Sequence, residues 1–138
     1  AEAALITTRG LEPEAKSLAV LRDRLEGGIR ERVDGVVVNS GGALRVPNTS
    51  NLSFPGVDGE SILLHLELRG ICASTGSACT TDSPEPSHVL QAMGREPRIA
   101  QGSIRFSLGH RNTPEEIDRT VEAIAEIVPK LATISSVS

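Results

Sequence analysis

Between residues 103 and 108 the chain reads Ser-Ile-Arg-Phe-Ser-Leu, a strict alternation of polar and apolar side chains. In an extended strand such alternation sends Ile104, Phe106 and Leu108 to one face and Ser103, Arg105 and Ser107 to the other. A strand that is apolar on one side only needs a second layer over that side. The layer is supplied a few residues later. Thr113-Pro114-Glu115-Glu116 is a capping box with proline at the first helical position, and Ile117, Val121, Ile124, Val128 and Leu131 then recur at helical spacing. A sheet covered on one face by helices, an α/β fold of two layers, is the expectation.

The rest of the chain fits that plan. Over 12–33 the apolar positions Leu18, Leu21, Leu25, Ile29 and Val33 recur at threes and fours and predict one amphipathic helix, with Gly27-Gly28 as the place for a kink or an early end. Asp34-Gly35 marks a turn, and Val36-Val37-Val38-Asn39 is strand-like. After a Ser40-Gly41-Gly42-Ala43 loop, a second strand is expected over 49–54, closed by Pro55-Gly56. Asp58 N-caps a helix carrying Ile62, Leu63 and Leu66 that ends at Gly70. Residues 71–74 predict a third strand. Ser87 is positioned to cap a short helix through Val89, Leu90 and Met93, with one more turn over 97–100. There is no internal repeat and no evident linker, so residues 1–138 are expected to form a single domain.

Composition narrows the function classes. The core must be aliphatic, since Phe54 and Phe106 are the only aromatic residues, and with a net charge of −4 this argues against a nucleic-acid binder, which needs a basic face and stacking platforms. No apolar run approaches the roughly 20 residues that span a bilayer, and the opening residues do not lead one to expect a signal peptide. A soluble, cytoplasmic protein is expected. The opening Ala1-Glu2-Ala3-Ala4-Leu5 reads as the inside or end of a helix rather than a natural start, which points to a piece of something longer.

From Ala73 to Pro86 the chain is small and polar, with Cys79 near the middle. Such a segment buries too little apolar area to offset its ordering, so it reads as a loop, and a long loop in a small domain is commonly functional. Free cysteines are most often buried and inert, but Ser77, Ala78, Thr80 and Thr81 offer little to bury this sulfur under, which makes Cys79 a candidate nucleophile. Cys72, in an apolar strand-like run, reads as core filler. A zinc site from Cys72, Cys79 and His88 lacks an anchoring C-x-x-C pair and is not expected. No partner base adjoins Cys79, and His65, His88 and His110 each read as ordinary histidines. Arg105 suits two-pronged recognition of a carboxylate, although most arginines on a polar strand face meet only solvent. From the residues alone, a thiol-dependent transfer reaction and a binding module both remain open.

Several motifs in order resemble one family. Thr75-Gly76-Ser77-Ala78-Cys79-Thr80, then Glu85-Pro86-Ser87-His88-Val89-Leu90, then Ser103-Ile104-Arg105-Phe106-Ser107-Leu108-Gly109 are similar to the C-terminal part of pyridoxal-phosphate-dependent cysteine desulfurases of the NifS/IscS kind, within the class-V aminotransferases. Upstream, Pro47-Asn48-Thr49-Ser50-Asn51-Leu52-Ser53-Phe54 and Gly59-Glu60-Ser61-Ile62-Leu63-Leu64 extend the resemblance across nearly the whole chain. Thr75 and Thr81 stand where the family usually has serine.

The resemblance implies the small C-terminal domain of a fold-type I pyridoxal-phosphate enzyme, with a mostly antiparallel sheet. It implies that a residue matching Arg105 holds the carboxylate of L-cysteine and that the thiolate matching Cys79 takes the sulfur. The products are alanine and an enzyme persulfide, passed on to an acceptor or iron–sulfur scaffold protein by an enzyme that is a homodimer when complete. The family's cofactor lysine, ring-stacking histidine and pyridine-side aspartate have no counterpart here. Lys16 and Lys130 sit in expected helices without a Ser-x-His-Lys context. The cofactor-binding large domain is therefore expected to lie outside this chain, which alone should be inactive. The alternatives are a stand-alone persulfide carrier, needing Cys79 but not Arg105, and a non-catalytic interaction module, needing neither.

Overall fold

The computed structural model describes residues 2–75 and 87–135, with side-chain detail from residue 12 onward. In chain order the elements are α1 (Glu2–Arg32), β1 (Val37–Val38), β2 (Thr49–Ser53), α2 (Gly59–Glu67), β3 (Ser74–Thr75), α3 (His88–Ala92), α4 (Pro97–Gln101), β4 (Ser103–Ser107) and α5 (Pro114–Ser135). The strands form one antiparallel sheet in the order β1-β2-β4-β3, so β2 and β4 are central and both edges are two residues long.

The alternation in β4 sorts as its pattern dictates. Ile104 and Phe106 are buried, Leu108 is half-buried, and Arg105 and Ser107 are exposed. Leu52 of β2 lies opposite Ile104, and Ser50 opposite Phe106, on the same inner face. That face, together with Leu21, Leu25, Ile29 and Val33 of α1, Ile62 and Leu66 of α2, and Ile117, Val121, Ile124 and Val128 of α5, makes one aliphatic core. The structure is thus the two-layer α/β arrangement expected from the sequence.

The helix ends follow their local chemistry. Asp58 Oδ2 accepts from the Ser61 backbone N–H at 2.9 Å, and Gly70 closes α2 at φ +73° while the Ile71 N–H reaches back to the Leu66 carbonyl at 3.0 Å. At α5 the capping box closes both ways: the Glu116 N–H donates to Thr113 Oγ1 at 3.3 Å and the Thr113 N–H donates to Glu116 Oε2 at 3.1 Å. The Asn112 amide also donates to Glu116 Oε2, at 3.0 Å. These donors, Asn112 first, hold the Glu116 carboxyl below its ordinary range, and Glu115 is held low by its own backbone N–H and by the Thr113 hydroxyl.

Five expectations need correction. Helix α1 begins at Glu2, ten residues before the expected start at Glu12, and continues through Pro13. The Gly27-Gly28 pair neither ends nor interrupts it. A Cβ on Gly28 would lie 3.0 Å from Val121 Cγ2, so the missing side chain lets α1 and α5 approach. The first and third strands shrink to two residues each, and β3 falls at Ser74–Thr75 rather than over 71–74. Ser87 is buried and makes no capping bond. Cys72 is exposed, not core, because β3 starts two residues after it and the run 71–73 is not strand.

Candidate functional site

The outward face of the sheet is built from alternate residues of its central strands. Thr49, Asn51 and Ser53 of β2 lie opposite Ser107, Arg105 and Ser103 of β4, and Ser74 of β3 lies on the other side of Arg105. Asn51, Arg105 and Ser74 therefore form one row across three strands. Neither β2, β3 nor β4 contributes a carboxylate to this face. Ser53 and Ser103 are buried, Asn51 and Ser74 half-buried and Arg105 exposed, so the face opens around the guanidinium.

Beside the row sits a small polar network. Asn39, 3% exposed, donates its backbone N–H to the Asn51 carbonyl at 2.9 Å. Its side-chain Nδ2 donates to Asn51 Oδ1 at 2.6 Å and to Ser53 Oγ at 2.8 Å. The following residue, Ser40, holds a left-handed backbone with φ 66°, a conformation uncommon for a residue with a side chain. The loop after it is tied to α1 where both Arg45 guanidinium nitrogens meet the two Glu26 carboxylate oxygens at 2.7 Å. Both side chains are largely covered, and the hydrogen bonds to Glu26 raise the pKa of Arg45.

Arg105 thus stands where the alternation put it, on the polar face, and no hydrogen bond or ion pair engages its guanidinium among the described residues. Cys79 lies outside the described residues. The described chain stops at Thr75, the residue after Arg105's neighbour Ser74, and resumes at Ser87. His88 opens α3 and is exposed, His110 is exposed, and His65 Nδ1 stands 3.0 Å from the Ser61 carbonyl. None of the three faces Arg105 across a strand pair. Sequence reasoning missed Asn39 and Asn51 as site residues, reading both simply as strand positions. The signal available was the odd-numbered position of Asn51 in a strand whose partner register only the fold reveals.

The class-V aminotransferase profile matches residues 1–120. The chain belongs to the class-V aminotransferase family. Among its class-V relatives, the cysteine desulfurase of Trichormus azollae is 47% identical over 125 residues, covering 91% of this chain and 31% of that protein. Cysteine desulfurase NifS of Azotobacter vinelandii is 45% identical with the same coverage. In three dimensions the chain is similar to the NifS-like protein from Rickettsia africae ESF-5, with a TM-score of 0.77, 31% sequence identity, and coverage of 88% of this chain and 31% of that one. The chain spans about a third of the length of the relatives it matches.

Class-V aminotransferases imply pyridoxal phosphate, normally held through a lysine. The two lysines of this sequence, Lys16 and Lys130, are exposed on α1 and α5, helices that cover the sheet's inner face, opposite to Arg105. The residues described here do not fit a lysine-linked cofactor. No described helix is long and apolar enough to cross a membrane, and no group of three or more metal-ligating side chains occurs among the described residues.

Proposed function

We propose that residues 1–138 act as the small, substrate-gripping domain of a cysteine desulfurase, with Arg105 as carboxylate anchor and Cys79 as sulfur acceptor, and with the pyridoxal-phosphate machinery carried by a large domain outside these residues. The observation that carries the reading is Arg105 itself: an exposed guanidinium on a central strand, with no hydrogen bond or ion pair among the described residues and no carboxylate on the strands beside it, next to the strand from which the Cys79 segment continues. A guanidinium suits the task because its planar fork matches a carboxylate bidentately and it never loses its proton. Mounted on a central strand, it holds one pose.

The overall chemistry balances without an external oxidant. L-cysteine and the Cys79 thiol give L-alanine and a Cys79 persulfide. The carbon–sulfur bond of the substrate breaks with its electron pair staying on carbon, which takes up a proton, and the departing sulfur bonds to Sγ of Cys79. An acceptor protein then removes the outer sulfur. The names of the relatives support desulfurase chemistry for the complete enzyme.

The test is alanine release from L-cysteine with pyridoxal phosphate and a thiol reductant. The chain alone should release none. Fused to the remaining two-thirds of a class-V relative, it should turn over and carry mass-detectable sulfane sulfur on Cys79. Cys79→Ser should abolish both signals, and Arg105→Ala should lower kcat/KM about a hundredfold or more through loss of charged hydrogen bonds. Turnover that survives Cys79→Ser would overturn the assignment, while undiminished persulfide loading in Arg105→Ala would favour a plain sulfur carrier.

A further inference from the structure

We infer that Asn51 is a second carboxylate-positioning residue, working beside Arg105 and held donor-outward by Asn39; this deepens, and rests on, the carboxylate reading of Arg105. Asn51 is the strand partner of Arg105 and shares its face, so their Cβ atoms are direct cross-strand neighbours. The Asn51 side-chain oxygen is already used, accepting from Asn39 Nδ2 at 2.6 Å. Its NH2 group has no partner among the described residues. An amide whose oxygen is turned toward Asn39 turns its two N–H donors away from it, on the face that Asn51 shares with the guanidinium.

Asn39 is fixed for this task. It is 3% exposed, its backbone N–H is bonded to Asn51, and its second amide hydrogen goes to Ser53 Oγ. Its own Oδ1 is buried without a hydrogen-bond partner among the described residues. What fixes the orientation is the pair of acceptors that its Nδ2 meets, Asn51 Oδ1 and Ser53 Oγ. A carboxylate offers about four acceptor positions, enough for a bidentate guanidinium and one amide N–H together. Two donors on adjacent strands would fix the plane and the rotation of the bound group, which one arginine alone leaves free.

The test is an NMR titration of the 15N-labelled chain with sodium propionate, and with propionamide as the uncharged control, following the Arg105 Nε–H and the Asn51 side-chain NH2. Propionate should shift both and propionamide neither. Asn51→Asp keeps the acceptor for Asn39 but sets a negative charge beside the ligand, and should weaken propionate binding about tenfold or more. Asn51→Ala, which removes the donor without adding charge, should weaken it about threefold. Asn39→Asp, which draws the Asn51 NH2 inward, should weaken it like Asn51→Asp. A merely structural Asn51 would lower the melting temperature of these variants and leave the affinity of the folded chain unchanged. That result, with binding still abolished by Arg105→Ala, would overturn the inference and leave the Arg105 reading standing. Unchanged binding in Arg105→Ala would overturn both.

Discussion

At the scale of single residues, two cysteines seven positions apart carry different expectations and different tests. Cys72 lines a cavity of about 320 Å³ together with Ile71, Phe106 and Glu116, and is exposed. A Cys79→Ser chain should therefore still react with one equivalent of a disulfide reagent without denaturant, and the double variant with Cys72→Ser should not. Slow reaction of the single variant until it is unfolded would return Cys72 to the core. The sequence misled here because apolar neighbours are a proxy for burial only when the strand they suggest is real. Arg105 was legible for the opposite reason: a period-two pattern fixes which face a residue takes without reference to any neighbour. Asn51 was not legible, since its significance comes from the register that sets it opposite Arg105.

At the scale of elements, the long helices and the two central strands could be read from periodicity and caps, and the short pieces could not. A two-residue strand carries no periodicity at all, so β1 and β3 exist because β2 and β4 offer ladders to pair with. The start of α5 is the most tightly written local signal, and it carries a pH dependence. The Glu115 and Glu116 carboxyls both titrate below their ordinary value of 4.5 in the folded chain, and Asp118, bonded to Arg24, titrates below 3.8. Depressed carboxylate pKa values stabilise the fold above the ordinary values, and this contribution is lost as pH falls through the lower, folded ones. Urea midpoints should accordingly be level from neutrality to about pH 5 and drop below pH 4.5. Glu116→Gln should flatten part of that drop, and Thr113→Ala should cost about 1 kcal/mol at neutral pH. A Glu116→Gln chain with the wild-type pH profile would show that the cap is not felt globally.

At the scale of the whole molecule, the layers are set by how closely backbones approach. A Cβ on Gly102 would clash with the Phe54 carbonyl oxygen and sit 2.6 Å from that of Val57, while the nearest atoms to one on Gly28 belong to the Val121 side chain, from 3.0 Å. Gly102→Ala should cost about 3 kcal/mol or more, since backbone cannot yield as a side chain can. Gly28→Ala should be nearly neutral, the helix-propensity gain of about 1 kcal/mol offsetting the squeeze on Val121. Equal losses in thermal or urea unfolding would refute this ranking. Neither contact was visible beforehand, because a glycine in a sequence announces freedom of the backbone and not proximity of another segment. The two-residue edge at β1 has one further consequence. A sheet that ends in a long, straight strand can template the addition of a foreign strand, whereas β1 offers an incoming chain a ladder of two residues. On that side the molecule can leave a polar face open around Arg105 without inviting a neighbour to extend the sheet.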